Sequence, residues 1–186
     1  RALPPREMEN LVRGFLLFFL TNPARLGHCS FLADNGSCGI YELRPFACRA
    51  YGMWSYSYGR QQTEQSRVGK KALVAMWRRY GIELPEDVAV HEIDYCDKMI
   101  VREHESITDA RLMELLSEIY HLDDAQPDLQ KRFENGYQSD FSALLASLVW
   151  GPRKANLNKY AVIKDIVQKD SDVRLKKLLA GVTAPF

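Results

Sequence analysis

The chain has 186 residues, enough for one domain with a sizeable core. Its 46% apolar and 26% charged residues are ordinary globular proportions, which exclude a disordered chain, a collagen and a disulfide-dense miniprotein. The net charge of +1 excludes a global field that would gather nucleic acid or anionic lipid, and the longest apolar run, Phe15 to Leu20, falls far short of the roughly twenty residues a membrane span needs.

Pro4-Pro5 opens a run with Met8, Leu11, Val12, Phe15, Leu16 and Phe19 at helical spacing. Asn22-Pro23 should stop it, because a residue before proline is pushed out of the α region. Residues 24–60 read as loop. They hold Cys29, Cys38 and Cys48, with Gly27, Gly36, Gly39, Pro45 and Gly52, and Asp34-Asn35-Gly36 predicts a hairpin turn between the first two cysteines. Residues 62–80 predict a helix with Val68, Ala72, Leu73, Met76, Trp77 and Tyr80 on its packed face, closed by Gly81. Asp87 to Tyr95 alternates apolar and polar, which suggests a short strand or extended segment. Ser106, Thr108 or Asp109 could cap a helix through His121 with Leu112, Leu115, Leu116 and Ile119 on one face. Pro127 opens another helical stretch to Asn135-Gly136, Asp140 caps Phe141–Trp150, and Gly151-Pro152 ends it. Two basic amphipathic stretches follow, at 156–169 and 172–180.

These elements predict a mainly α single domain over 1–186. A first helix (1–22) leads into an irregular cysteine-bearing lobe with a short hairpin (23–60), and a mostly helical body (61–186) returns Cys96 to the lobe. Charge is uneven along the chain. Residues 1–60 carry seven basic and four acidic residues, 61–150 ten and seventeen, and 151–186 eight and three. The basic end is a weak nucleic-acid signal, since solvated helix faces often look like this. Beginning at Arg1, the chain reads as a piece or a processed form of something longer, and no signal-peptide pattern is visible.

Cys29, Cys38, Cys48 and Cys96 number four, as a tetrahedral zinc site or a cubane [4Fe–4S] cluster requires. Their gaps lack the C-x2-C knuckle of either. Context favours ligation: three of them lie in loop, Arg44 and Arg49 flank Cys48 and would favour its thiolate, and Phe31, Tyr41, Phe46, Tyr51, Trp54 and Tyr56 could wall the site off from water. A Cys29–Cys38 disulfide and ordinary free thiols stay open as alternatives, and His91 could replace a cysteine. An intracellular cysteine cluster is more often metal-binding than disulfide-bonded, so the expected compartment is the cytoplasm. Glu103, His104 and Glu105 are explained by solvation, and no nucleotide loop, nucleophile elbow or HExxH motif is present. Tyr51, Trp54, Tyr56 and Tyr58 with Arg49 and Arg60 could stack bases, yet the same residues could pack the lobe.

The stretch from His28 through Cys29-Ser30-Phe31-Leu32, the Asp34-Asn35-Gly36 turn and Cys38-Gly39-Ile40-Tyr41-Glu42-Leu43-Arg44-Pro45 to Cys48-Arg49 resembles the YkgJ-like, CxxCxxCC-type cysteine-cluster family, described as zinc- or iron-chelating or Fe–S proteins. Ser30 stands where that pattern has proline, and the family's upstream cysteine cluster has no counterpart after Arg1. The resemblance implies Cys29, Cys38 and Cys48 as ligands, with Cys96 matched by position only. It implies a supporting role for Arg44, Arg49 and Tyr41 around the thiolates, with Arg44 donating to a thiolate or pairing with Asp34 or Glu42, and Pro45 fixing a turn that aims Cys48 inward. The expected function is thus a [4Fe–4S] protein with a redox or cluster-dependent role, with zinc or mononuclear iron as alternative metals. Two other readings are an enzyme domain akin to flagellin-lysine methylases and a structural zinc module that binds a protein partner. Whether the chain is an enzyme stays open at this level.

Overall fold

Residues 4–90, 108–124, 131 and 140–182 are described by a computed structural model of the chain. The architecture is mainly α, as the periodicity predicts. The helices are α1 (Pro5–Thr21), α2 (Phe46–Ala50), α3 (Tyr56–Arg79), α4 (Glu86–Val90), α5 (Asp109–Asp124), α6 (Phe141–Trp150), α7 (Pro152–Lys169) and α8 (Val173–Ala180). Among the described residues no helix is long and apolar enough to cross a membrane.

The core forms where α1 packs on α6, α7 and α8. Proline in its first turn starts α1, and Asn22, extended before Pro23, ends it. Its buried stripe is Val12, Leu16, Phe19 and Leu20, which meets Ala146, Ala155, Val162, Ile163, Ile166 and Leu175 from the three later helices. Removing a Leu or Ile side chain of this kind from water stabilises by roughly 1.5–3 kcal/mol. Small residues at 146 and 155 let the helices approach closely.

Local chemistry sets the corners. The Asp140 side chain accepts the Ala143 amide at 2.8 Å and so caps α6. Gly151 turns the chain at φ +78°, a conformation L side chains rarely adopt, and Pro152 starts α7 directly. That start lies four residues ahead of the predicted 156. At the far end of α7, the buried Asp165 accepts Lys169 Nζ at 2.8 Å and Arg174 Nε at 2.7 Å, which ties α7 to α8. Arg25 pairs with Asp172 at 2.8 Å and fastens the chain leaving α1 to the start of α8.

Helix α3 departs from its predicted packing. It begins at Tyr56, six residues before the predicted 62, because the Ser55 hydroxyl caps it by accepting the Tyr58 amide. Of the residues expected on its packed face, Trp77 is buried and Leu73 half-buried, while Val68, Ala72, Met76 and Tyr80 are exposed. Only the C-terminal end reaches the core. There the Trp77 ring lies parallel to Tyr160 at 6.4 Å, and Gln168 Nε2 donates to the Gly81 carbonyl at 2.9 Å. The other end is held by Asp109 of α5, whose carboxylate accepts the Ser55 amide at 2.7 Å and the Ser55 hydroxyl.

The strand or extended segment expected over Asp87–Tyr95 is corrected over its first part: Glu86–Val90 is helical. Pro85 precedes two acids that favour a helix N-terminus, which outweighs the alternation of Val88 and Val90. Residues 91–95, Cys96 with its expected return to the lobe, the His104 cluster and most of the helix expected from Pro127 lie outside the described residues.

Candidate functional site

The predicted hairpin forms in minimal fashion. Gly36 takes φ +80° at the turn, and its amide donates to the Ala33 carbonyl at 2.8 Å. Asn35 Oδ1 accepts the Ser37 amide at 2.9 Å. A single antiparallel bridge links Leu32 to Cys38, and Gly39 donates to the Phe31 carbonyl at 2.8 Å. Phe31 meets Phe15 edge-on at 5.0 Å, and Phe15 meets Phe141 in the same way at 5.0 Å, which docks the hairpin on α1 and α6. The connection from α1 runs flush against it: a Cβ placed on Gly27 would lie 2.5 Å from the Phe18 ring.

A 3-10 turn, Tyr41–Leu43, follows, and Pro45 then starts the short helix α2 where the sequence predicts loop. Two arginines lace this turn together. Arg44 Nε donates to the Tyr41 carbonyl at 3.0 Å while its guanidinium lies 3.8 Å over the Tyr41 ring. Arg49 Nε donates to the Arg44 carbonyl at 2.8 Å, and Arg49 Nη2 donates to the Glu42 carbonyl. Neither arginine uses the carboxylate of Asp34 or Glu42.

The four-cysteine metal centre is not what this geometry supports. Cys29, Cys38 and Cys48 are free thiols, with Cys29 and Cys48 exposed and Cys38 half-exposed. Among the described residues no group of three or more His, Cys, Asp or Glu converges on a point where a metal could sit. Among the described residues Cys29, Cys38 and Cys48 thus build no metal centre, and the metal-binding function expected of them is corrected on that ground. Three local features accompany this. Cys29 sits on the turn that leads into the hairpin, with its carbonyl accepting the Leu32 amide at 3.0 Å. Pro45 opens α2 and leaves Cys48 in solvent instead of aiming it inward. The expected aromatic wall is spent elsewhere: Phe31 goes to Phe15, Phe46 to Trp54 at 6.3 Å, and Trp54 stacks on Tyr58 at 4.1 Å.

What this segment presents instead is apolar surface. Leu26, Leu32, Tyr41, Leu43, Tyr51 and Tyr56 are all exposed, and Leu43 keeps 80% of its surface in contact with solvent. Tyr41, Tyr51 and Tyr56, which the sequence suggests as a wall against water, stand in the solvent together with Leu32 and Leu43. No periodicity marks Leu43 as exposed, since Tyr41 lies at a strand interval from it and Ile40 and Phe46 at helical ones. No family model, curated protein or solved structure matches the chain.

Proposed function

We propose that the chain is a helical binding module that docks a protein partner through the surface of residues 26–56. The observation that carries this reading is the set of six large apolar and aromatic side chains left in water along that segment, with Leu43 the most exposed. Scattered apolar residues are ordinary on a surface, but a concentration of them on one small lobe is the composition of an interaction site. Tyrosine and arginine supply most of its chemistry, and these are residue types that dominate binding energy at interfaces. The helical core formed by α1, α6, α7 and α8 gives the lobe a rigid base, because Phe31 is seated on Phe15. The kinship of residues 28–49 with the YkgJ-like family belongs to the same proposal, as a kinship of this surface and not of a metal centre.

The test compares three tagged chains in quantitative affinity capture: wild type, a Leu43→Glu variant and a Lys176→Glu variant on α8. Proteins retained by wild type and Lys176→Glu but lost by Leu43→Glu, and then bound again as purified components, support the reading. Identical captured sets from Leu43→Glu and wild type would refute it.

A further inference from the structure

We infer that the partner segment is acidic, and that Arg44 and Arg49 are the residues that read its carboxylates. This inference rests on the docking reading above and deepens it.

A free surface arginine is a poor recognition element, because its long side chain must be immobilised on binding. These two are immobilised already. Arg44 is held on one edge by the Tyr41 carbonyl and on one face by the Tyr41 ring. Arg49 is held by the carbonyls of Arg44 and Glu42. Carbonyl acceptors fix a guanidinium without neutralising it. Neither group is ion-paired with a carboxylate among the described residues, in contrast to Arg25, Arg67, Arg78, Arg111 and Arg174. Among the described residues the terminal nitrogens of Arg44 and Nη1 of Arg49 meet no acceptor, which leaves their donors for a ligand. A planar fork with an unspent edge matches a carboxylate in two-point geometry.

The surroundings select a peptide over a nucleic acid. Residues 23–60 carry four arginines against Asp34 and Glu42, and Arg25 is already taken by Asp172. That local excess is too small for polyphosphate binding, which draws on many cations at once. Leu43, next to Arg44 in sequence and exposed, asks for an apolar neighbour in the ligand. A segment in which Asp or Glu alternates with large apolar residues satisfies both demands.

The experiment is a selection of random twelve-residue peptides displayed on phage, run on immobilised wild type, Arg44→Gln, Arg44→Lys, Arg49→Gln and Leu43→Glu. A parallel selection uses random single-stranded oligonucleotides. Wild type should enrich peptides rich in Asp and Glu. Their synthetic versions should bind Arg44→Gln about tenfold or more weakly, the loss expected for a charged hydrogen bond. Arg44→Lys, which keeps the charge and loses the fork, should recover only part of that affinity, and this comparison holds even if Arg44→Gln loosens the turn. Apolar peptides without acidic enrichment, lost on Leu43→Glu but not on Arg44→Gln, would overturn the inference and leave the docking reading standing. No peptide above the Leu43→Glu background would overturn both. Oligonucleotides that depend on Arg44 would replace the acidic peptide with a nucleic acid.

Discussion

The Asp165 junction gives the sharpest test of how this fold is held. Asp165 lies in α7 with only 12% of its side chain exposed, and both of its oxygens are used: Lys169 Nζ on Oδ1 at 2.8 Å and Arg174 Nε on Oδ2 at 2.7 Å. Asp165→Asn preserves the shape, removes the charge and turns an amide NH2 toward one of two cationic donors. A charge-assisted hydrogen bond contributes roughly 1.5–3 kcal/mol when sheltered, so two would approach 5. Lys169 and Arg174 are themselves more than half exposed, and screening cuts the expected loss to about 2 kcal/mol. For a chain of this size that is a fall in Tm of about 4–8 °C. The pH dependence supplies a second check. The hydrogen bonds from Arg174 and then Lys169 hold the Asp165 pKa below its usual 3.8. The folded protein therefore binds fewer protons there than the unfolded chain, and this stabilisation is complete above the unfolded pKa. It is lost as pH falls through the lower, folded pKa. Calorimetry of wild type and Asp165→Asn from pH 7 to pH 2.5 should show a full gap at neutral pH that closes below about pH 4. A gap independent of pH, or no gap at pH 7, would refute the account of α7 and α8 as electrostatically joined.

Leu16→Ala, at a side chain with no exposure in the α1 stripe, should cost roughly 2–5 kcal/mol in urea unfolding. Gly151→Ala should destabilise by about 1–2 kcal/mol because φ +78° is strained for alanine, whereas Gly69→Ala, in α3 with open space around its would-be Cβ, should stabilise by roughly 0.5–1 kcal/mol; the opposite signs are read by thermal melts of the two variants. The Lys159 amine lies 4.8 Å over the Phe19 ring, and desolvation lowers its pKa despite the opposing charge of Asp140. The unfolded chain then binds more protons at this site between the folded pKa and 10.5, so wild-type stability should rise relative to Lys159→Met as pH climbs from 8 toward 10. Dithionitrobenzoate should label Cys29 and Cys48 in the native protein faster than Cys38, read by peptide mass mapping after timed quenching.

The helical skeleton was legible wherever local signals agree. Pro5, Asn22-Pro23, Asp140 and Gly151 mark ends in the sequence and act as ends in the fold. The face of α1 was legible because Val12, Leu16 and Phe19 recur at the helical period and nothing competes with them. The face of α3 was not. Val68, Ala72 and Met76 have the same spacing as a core stripe, but burial is decided by what lies opposite, and periodicity carries no information about neighbours. The cysteines failed for a related reason. Four thiols have the stoichiometry of a metal centre, but stoichiometry carries no information about where the backbone places them, and among the described residues Cys29, Cys38 and Cys48 join no group that could hold a metal.

The way α3 is moored has a mechanical consequence. Twenty-four residues at 1.5 Å each make a rod about 36 Å long, clamped by Asp109 at one end and by the Trp77 cluster at the other. Between the clamps, from residue 60 to 72, its side chains are exposed or half-buried. None of residues 62–70 is buried, so deuterium should enter their amides well before those of α1 or α7. The rod thus behaves as a spacer with firm ends and a soft middle, and a protease that cuts it should cut there first.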